Sequence, residues 1–155
     1  MKILVCGLPG SGKSTLAELL SKSLLTAVWI NADEVRDRYD DWDFTPEGRM
    51  RQSRRMTYIS DGVVRAGGIA IADFIAPTQS VRDQYDADYV IWLDTITEGR
   101  FEDTNAMFEK VRYADYVVTE QDAVNQIVGI ITDMKVHFHF IDPVAVFGKL
   151  VRYLI

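Results

Sequence analysis

Gly7-Leu8-Pro9-Gly10-Ser11-Gly12-Lys13-Ser14 follows the apolar run Ile3-Leu4-Val5-Cys6 and precedes a helical pattern over Thr15 to Leu25. The spacing is the full G-x-x-x-x-G-K-[ST] of a phosphate-binding loop, in the strand-loop-helix setting such a loop requires. Glycines let successive backbone N–H groups curl around a polyphosphate, and the helix that starts near Lys13 adds the positive end of its dipole. Gly7, Gly10, Ser11, Gly12, Lys13, Ser14 and Thr15 are therefore the candidate nucleotide-binding residues. Lys13 is expected to reach the β- and γ-phosphates as a point charge, and the Ser14 hydroxyl to enter a Mg²⁺ shell.

Outward from the loop, strand-like apolar runs recur at Lys2 to Cys6, Ala27 to Ile30, Ile69 to Ile75, Tyr89 to Leu93 and Tyr116 to Val118, with helical patterns between them. Leu16, Leu19, Leu20 and Leu24 share one face of the first helix. Pro46 to Ala66 reads as a long helix with Thr45 as N-cap, proline in its first turn and Gly67-Gly68 after its end. Strands apolar on both faces and separated by helices imply a parallel sheet covered on both sides. The expected fold is α/β, a P-loop NTPase of nucleotide-kinase type with three layers and a five-stranded, mainly parallel sheet. Ligands of such sheets collect beyond the carboxyl ends of the strands.

At 155 residues and 48% hydrophobic, the chain suits one domain with one core. Residues 1–135 are expected to form it. Residues 136–155 read as a C-terminal extension of the same domain. There Val136, Phe138 and Phe140 alternate with His137 and His139 in a strand-like period of two, and Val144, Phe147, Leu150, Val151 and Leu154 follow at helical spacing. That last helix is expected to serve packing or an oligomer contact, a homodimer included. The two histidines could share a metal, but no Cys, Asp or Glu cluster completes a site.

The only cysteine, Cys6, falls inside the first strand and reads as a small buried hydrophobe. Neither a leader peptide nor a membrane-spanning run is evident, so a reducing, cytoplasmic setting is expected. A net charge of −6 disfavours non-specific binding to nucleic acid or anionic lipid. Locally the balance reverses: Arg49, Arg51, Arg54, Arg55 and Arg65 stand against Asp61 alone between Gly48 and Arg65. Guanidinium groups aimed at one cleft would bind a multiply charged acceptor. The run Asp37 to Asp43, rich in aspartate with Tyr39 and Trp42, reads as a substrate-side or a solvated loop.

In Ile30-Asn31-Ala32-Asp33-Glu34-Val35-Arg36, an acid at the tip of the second strand can hold Mg²⁺ through water or accept the proton of an attacking hydroxyl. Asp33 is the candidate for this role, although Asn31 or Asp33 could equally serve as a helix N-cap. Asp73, at the end of the third strand, is a further candidate near the metal.

These blocks resemble those of the adenylylsulfate kinases, P-loop enzymes that move the ATP γ-phosphate onto the 3′-hydroxyl of adenosine 5′-phosphosulfate. Gly7 to Thr15 is similar to that family's G-L-x-G-x-G-K-S-T, and Asn31 to Arg36 to its D-G-D-N-V-R. Phe44-Thr45 with Arg49, Gln52, Arg54 and Arg55 resembles its G-F-S-x-x-x-R-x-x-N-x-R-R, and Phe74-Ile75-Ala76-Pro77 with Arg82 its F-I-S-P followed by arginine. The likeness runs to about Phe108. It implies ATP and Mg²⁺ as cofactors and a small anionic nucleotide as acceptor. It further implies Lys13 and Asp33 as catalytic residues, and Ser14, Asp33 and Asp73 beside the metal. Phe44 would contact the acceptor's adenine, Arg36 and Arg49 its sulfate and phosphate, and Gln52, Ile75 and Ala76 would complete its site.

Four positions depart from the pattern. Asn31 stands where the family has an acid, Gln52 where it has asparagine, Asn105 where its lid carries lysine, and Asp73 where it has a small residue. The lid itself is shortened, because Tyr113 to Val118 already reads as a strand; Arg100 and Lys110 flank it, and either could bring a cation to the γ-phosphate. Ile30 to Arg36 and Asp73 are also similar to polynucleotide 5′-hydroxyl kinases, which keeps a nucleic-acid acceptor open. A non-catalytic ATP-binding module is the remaining reading.

Overall fold

The computed structural model describes residues 1–139. Its sheet has five strands: β1 (Lys2–Gly7), β2 (Ala27–Asn31), β3 (Ile69–Asp73), β4 (Tyr89–Asp94) and β5 (Tyr116–Thr119). Their order is β2-β3-β1-β4-β5, and every pairing is parallel. The helices are α1 (Lys13–Ser23), α2 (Ala32–Tyr39), α3 (Pro46–Arg65), α4 (Gln79–Tyr85), α5 (Glu102–Met107) and α6 (Ala123–His139).

The alternation of side chains along a strand splits the core in two. On one face Ile3, Val5 and Ile71 pack with Leu16 and Leu20 of α1 and with Ile130 and Met134 of α6. On the other, Leu4, Cys6 and Ala72 pack with Met56 of α3 and Tyr85 of α4. Central β1 is thus apolar on both faces, and burial pushes the Cys6 thiol up to about 12, which keeps it neutral and inert.

Helix α3 forms where expected: Thr45 Oγ1 accepts from the Gly48 N–H at 3.1 Å, Pro46 occupies the first turn, and the chain turns at Gly67 with φ +89°. Strand β3 ends at Asp73, short of the expected Ile75.

Residues 136–139 correct the expected C-terminal strand. They are the last turn of α6, whose inward positions Ile130, Met134 and Phe138 recur every four residues and are buried. Val136, on the expected strand's inner face, is instead exposed. The period-two alternation was a local coincidence within a helical repeat. The expected helix over Val144 to Leu154 lies outside the described residues.

Candidate active site

The carboxyl ends of β1, β2 and β3 open into a cleft of about 480 Å³. At its floor, the loop leaves β1 through Gly7, where φ is +152° and a Cβ would stand 2.7 Å from the Leu93 carbonyl oxygen; only glycine fits there. Gly12, at φ +99°, is the N-cap of α1. Thr95 Oγ1 donates to the Ser11 carbonyl at 2.7 Å, fastening the loop to the end of β4. Among the described residues, the buried Ser11 hydroxyl has no hydrogen-bond partner.

Lys13 Nζ donates to the Leu8 carbonyl at 2.9 Å, arching back over the loop into the cleft. Burial lowers its pKa, opposed first by the nearby charge of Asp73. The Ser14 hydroxyl donates to Asp73 Oδ2 at 2.7 Å. Asn31 proves to be the N-cap of α2, its Oδ1 accepting from the N–H groups of Asp33 and Glu34 at 2.9 and 3.1 Å. The Asp33 carboxylate therefore does no capping and lines the cleft.

The opposite wall is built on Phe44. The Arg36 guanidinium lies 4.5 Å from its ring centroid and that of Arg49 5.4 Å, within cation-π range. Both arginines are buried. Arg36 Nη1 donates to the carbonyls of Asp41 and Asp43 at 2.9 and 3.0 Å. Arg49 donates through Nε to the Phe44 carbonyl at 2.9 Å and through Nη2 to Thr104 Oγ1 at 3.2 Å. Gln52 Nε2 donates to the Ala32 carbonyl at 2.9 Å. Ile75 lines the cleft, whereas the Ala76 carbonyl accepts from Arg82 Nη1 at 2.8 Å and braces the turn behind it.

Gathered on this cleft are Gly10, Lys13, Ser14, Asp33, Asp73, Arg36, Phe44, Arg49, Gln52 and Ile75; Gly7, Ser11, Gly12, Thr15 and Ala76 stand outside its lining. The expectation for Arg51 and Arg55 of α3 is corrected. Arg51 reaches Asp41 at 2.7 Å and Asp43 at 3.0 Å, and Arg55 reaches Asp41 at 2.7 Å. They bind the acidic loop instead of facing a ligand. That loop, read from sequence as substrate-side or solvated, presents Trp42 to the cleft. Of the two lid cations, Arg100 lines the cleft and Lys110 does not. Asn105 fixes this arrangement by bonding both the N–H and the carbonyl of Gly99, at 2.8 and 2.9 Å.

Hard oxygen donors (the Ser14 hydroxyl and the Asp33 and Asp73 carboxylates) suit Mg²⁺ beside a polyphosphate. Among the described residues, no cluster of three or more His, Cys, Asp or Glu side chains suggests another metal site.

Fold and loop together define a P-loop protein of the nucleotide-kinase type. A family model, adenylylsulphate kinase, matches residues 1–94, and the chain belongs to that family. The adenylyl-sulfate kinase of Staphylococcus haemolyticus is 39% identical over 83 residues, covering 50% of this chain and 42% of that protein. The chain thus spans less than half the length of this curated relative. Among solved structures, the APS kinase of Mycobacterium tuberculosis superposes with a TM-score of 0.70 at 20% identity over 84% of this chain and 94% of that one; it has also been solved in complex with AMPPNP and APS. A sugar kinase from Janibacter gives 0.69 at 20% identity, covering 84% and 92%. At such identities the likeness establishes the fold.

Proposed function

We propose that this protein is an ATP-dependent kinase that phosphorylates the 3′-hydroxyl of adenosine 5′-phosphosulfate (APS), yielding 3′-phosphoadenylylsulfate and ADP. The observation that carries the reading is one cleft with a phosphate loop and Asp33 on one side and the Arg36-Phe44-Arg49 wall on the other. Family membership and the APS bound by the mycobacterial structural neighbour support the same acceptor.

In this mechanism the loop N–H groups and Lys13 hold the ATP phosphates, and Phe44 stacks on the acceptor's adenine. Arg49 and Arg36 set the positive potential that draws in the anionic end. The acceptor 3′-oxygen attacks the γ-phosphorus, its proton passes to an Asp33 oxygen, and the bond from the γ-phosphorus to the β–γ bridging oxygen breaks to release ADP. Ser14, Asp73 and Asp33 would hold Mg²⁺, which supplies charge neutralisation of the β- and γ-phosphates. Arg100 is the lid cation that faces the developing charge. A cytoplasmic setting belongs to the same reading; no helix among the described residues is long and apolar enough to cross a membrane.

Equilibrium binding tests the acceptor side. APS is expected to bind in the presence of a non-hydrolysable ATP analogue, and Arg49→Ala to weaken it by about 10- to 100-fold, the usual loss for a charged hydrogen-bonding group. Unchanged APS affinity in Arg49→Ala rejects this acceptor site.

A further inference from the structure

We infer that Asn31 is a positioning residue whose carboxamide aims the cation-side carboxylate of the site, that of Asp73. The two are register partners at the tips of β2 and β3, and Asn31 Nδ2 donates to Asp73 Oδ2 at 3.0 Å. Both ends of the carboxamide are thereby engaged, since its Oδ1 already accepts the N–H groups of Asp33 and Glu34. A flipped amide would set its NH₂ against two N–H donors and its oxygen against a carboxylate, so the orientation is forced. One side chain thus ties the backbone that carries Asp33 to the carboxylate of Asp73.

Asp73 is only 2% exposed, and among the described residues it has no ion-pair partner within 4.0 Å. Its Oδ2 gathers three donors: Ser14 Oγ at 2.7 Å, Asn31 Nδ2 at 3.0 Å and Trp29 Nε1 at 3.3 Å. No hydrogen bond among the described residues reaches Oδ1, and the residue lines the cleft. One oxygen is clamped and the other is left for a hard cation or its water. An aspartate at position 31 beside an unchanged Asp73 would bring two carboxylates to hydrogen-bond distance, where like charges oppose each other.

The inference rests on the proposed kinase only for the identity of the nucleotide. Mn²⁺ affinity in the presence of ADP, read by electron paramagnetic resonance, tests it without turnover. Asp73→Asn removes a carboxylate that would hold the cation and should weaken Mn²⁺ by about 10-fold or more, whereas loss of the Asn31 amide, an outer-shell partner, should weaken it by about 10- to 100-fold. Asn31→Ser keeps a good N-cap for α2 but removes the Nδ2 donor, so it should lose Mn²⁺ affinity with metal-free ADP binding and helix content unchanged. Wild-type or tighter Mn²⁺ binding by Asn31→Ser overturns the positioning role. Absence of phosphate transfer to APS in a protein that passes the Mn²⁺ tests would reject the kinase reading and leave the positioning role standing.

Discussion

Arg51 grips Asp41 bidentately with one edge of its guanidinium, Nε to Oδ2 at 2.7 Å and Nη2 to Oδ1 at 3.0 Å. Arg55 adds a third hydrogen bond to Asp41 at 2.7 Å. These bonds hold the Asp41 carboxyl well below its ordinary value of 3.8, and Arg51 well above its own. Asp43 is lowered as well, chiefly by Thr45. A carboxylate whose folded pKa is depressed contributes stability that is present above the unfolded value and is lost as pH falls through the folded one. The loop carrying Trp42 should therefore be insensitive to pH above about 5 and loosen only below about 4. Trp42 fluorescence and the thermal midpoint followed against pH check this. Asp41→Asn should lower the midpoint at neutral pH and flatten the acid limb; a midpoint equal to wild type would contradict the clamp.

Asp33→Asn should lower kcat by about 10²- to 10⁴-fold, the range for loss of a positioned base, with ATP affinity nearly unchanged. Steady-state kinetics paired with calorimetry of ADP binding separate the two effects. An unaltered kcat removes Asp33 from proton transfer.

Arg100→Ala should reduce kcat by about 10²-fold or more, in line with the removal of one transition-state charge contact, while Lys110→Ala should leave it near wild type. Comparison of ADP with ADP-aluminium fluoride affinity sharpens the test, because only the second mimics the developing charge. Equal behaviour of the two variants would return the lid cation to an open choice.

Leu4 is fully buried on central β1, and Leu25 is 77% exposed. Leu4→Ala should cost about 2–5 kcal/mol in urea unfolding. Leu25→Ala should stay within about 0.5 kcal/mol. Similar losses at both positions would contradict the two-sided burial of β1.

The β1-loop-α1 unit was legible because its chemistry is local: strand, glycines, lysine and serine lie within a dozen residues and each has one physical use. The α3 cap was legible for the same reason. What the sequence hid depends on distance in the chain. Arg51 and Arg55 looked like ligand-facing cations because nothing local shows that Asp41, 10 and 14 residues earlier, folds onto them. Asn31 looked like a departure from a family pattern until the β2-β3 register set it against Asp73, 42 residues away. Arg100 could be preferred over Lys110 only once Asn105 was found to pin Gly99 against Pro9, where a Cβ on Gly99 would come within 2.9 Å of the proline ring. The last turn of α6 was hidden because the five alternating residues Val136 to Phe140 fit a strand, and the helical repeat shows only when Ile130 and Met134 are counted with Phe138.

The most direct measurement offers γ-labelled ATP with APS and a 5′-hydroxyl oligonucleotide in parallel reactions, followed by identification of the labelled position. The account predicts label on the 3′-oxygen of APS, none on the oligonucleotide, and loss of transfer in Lys13→Ala. Label on the oligonucleotide alone, or ATP binding with no transfer to either acceptor, would contradict it.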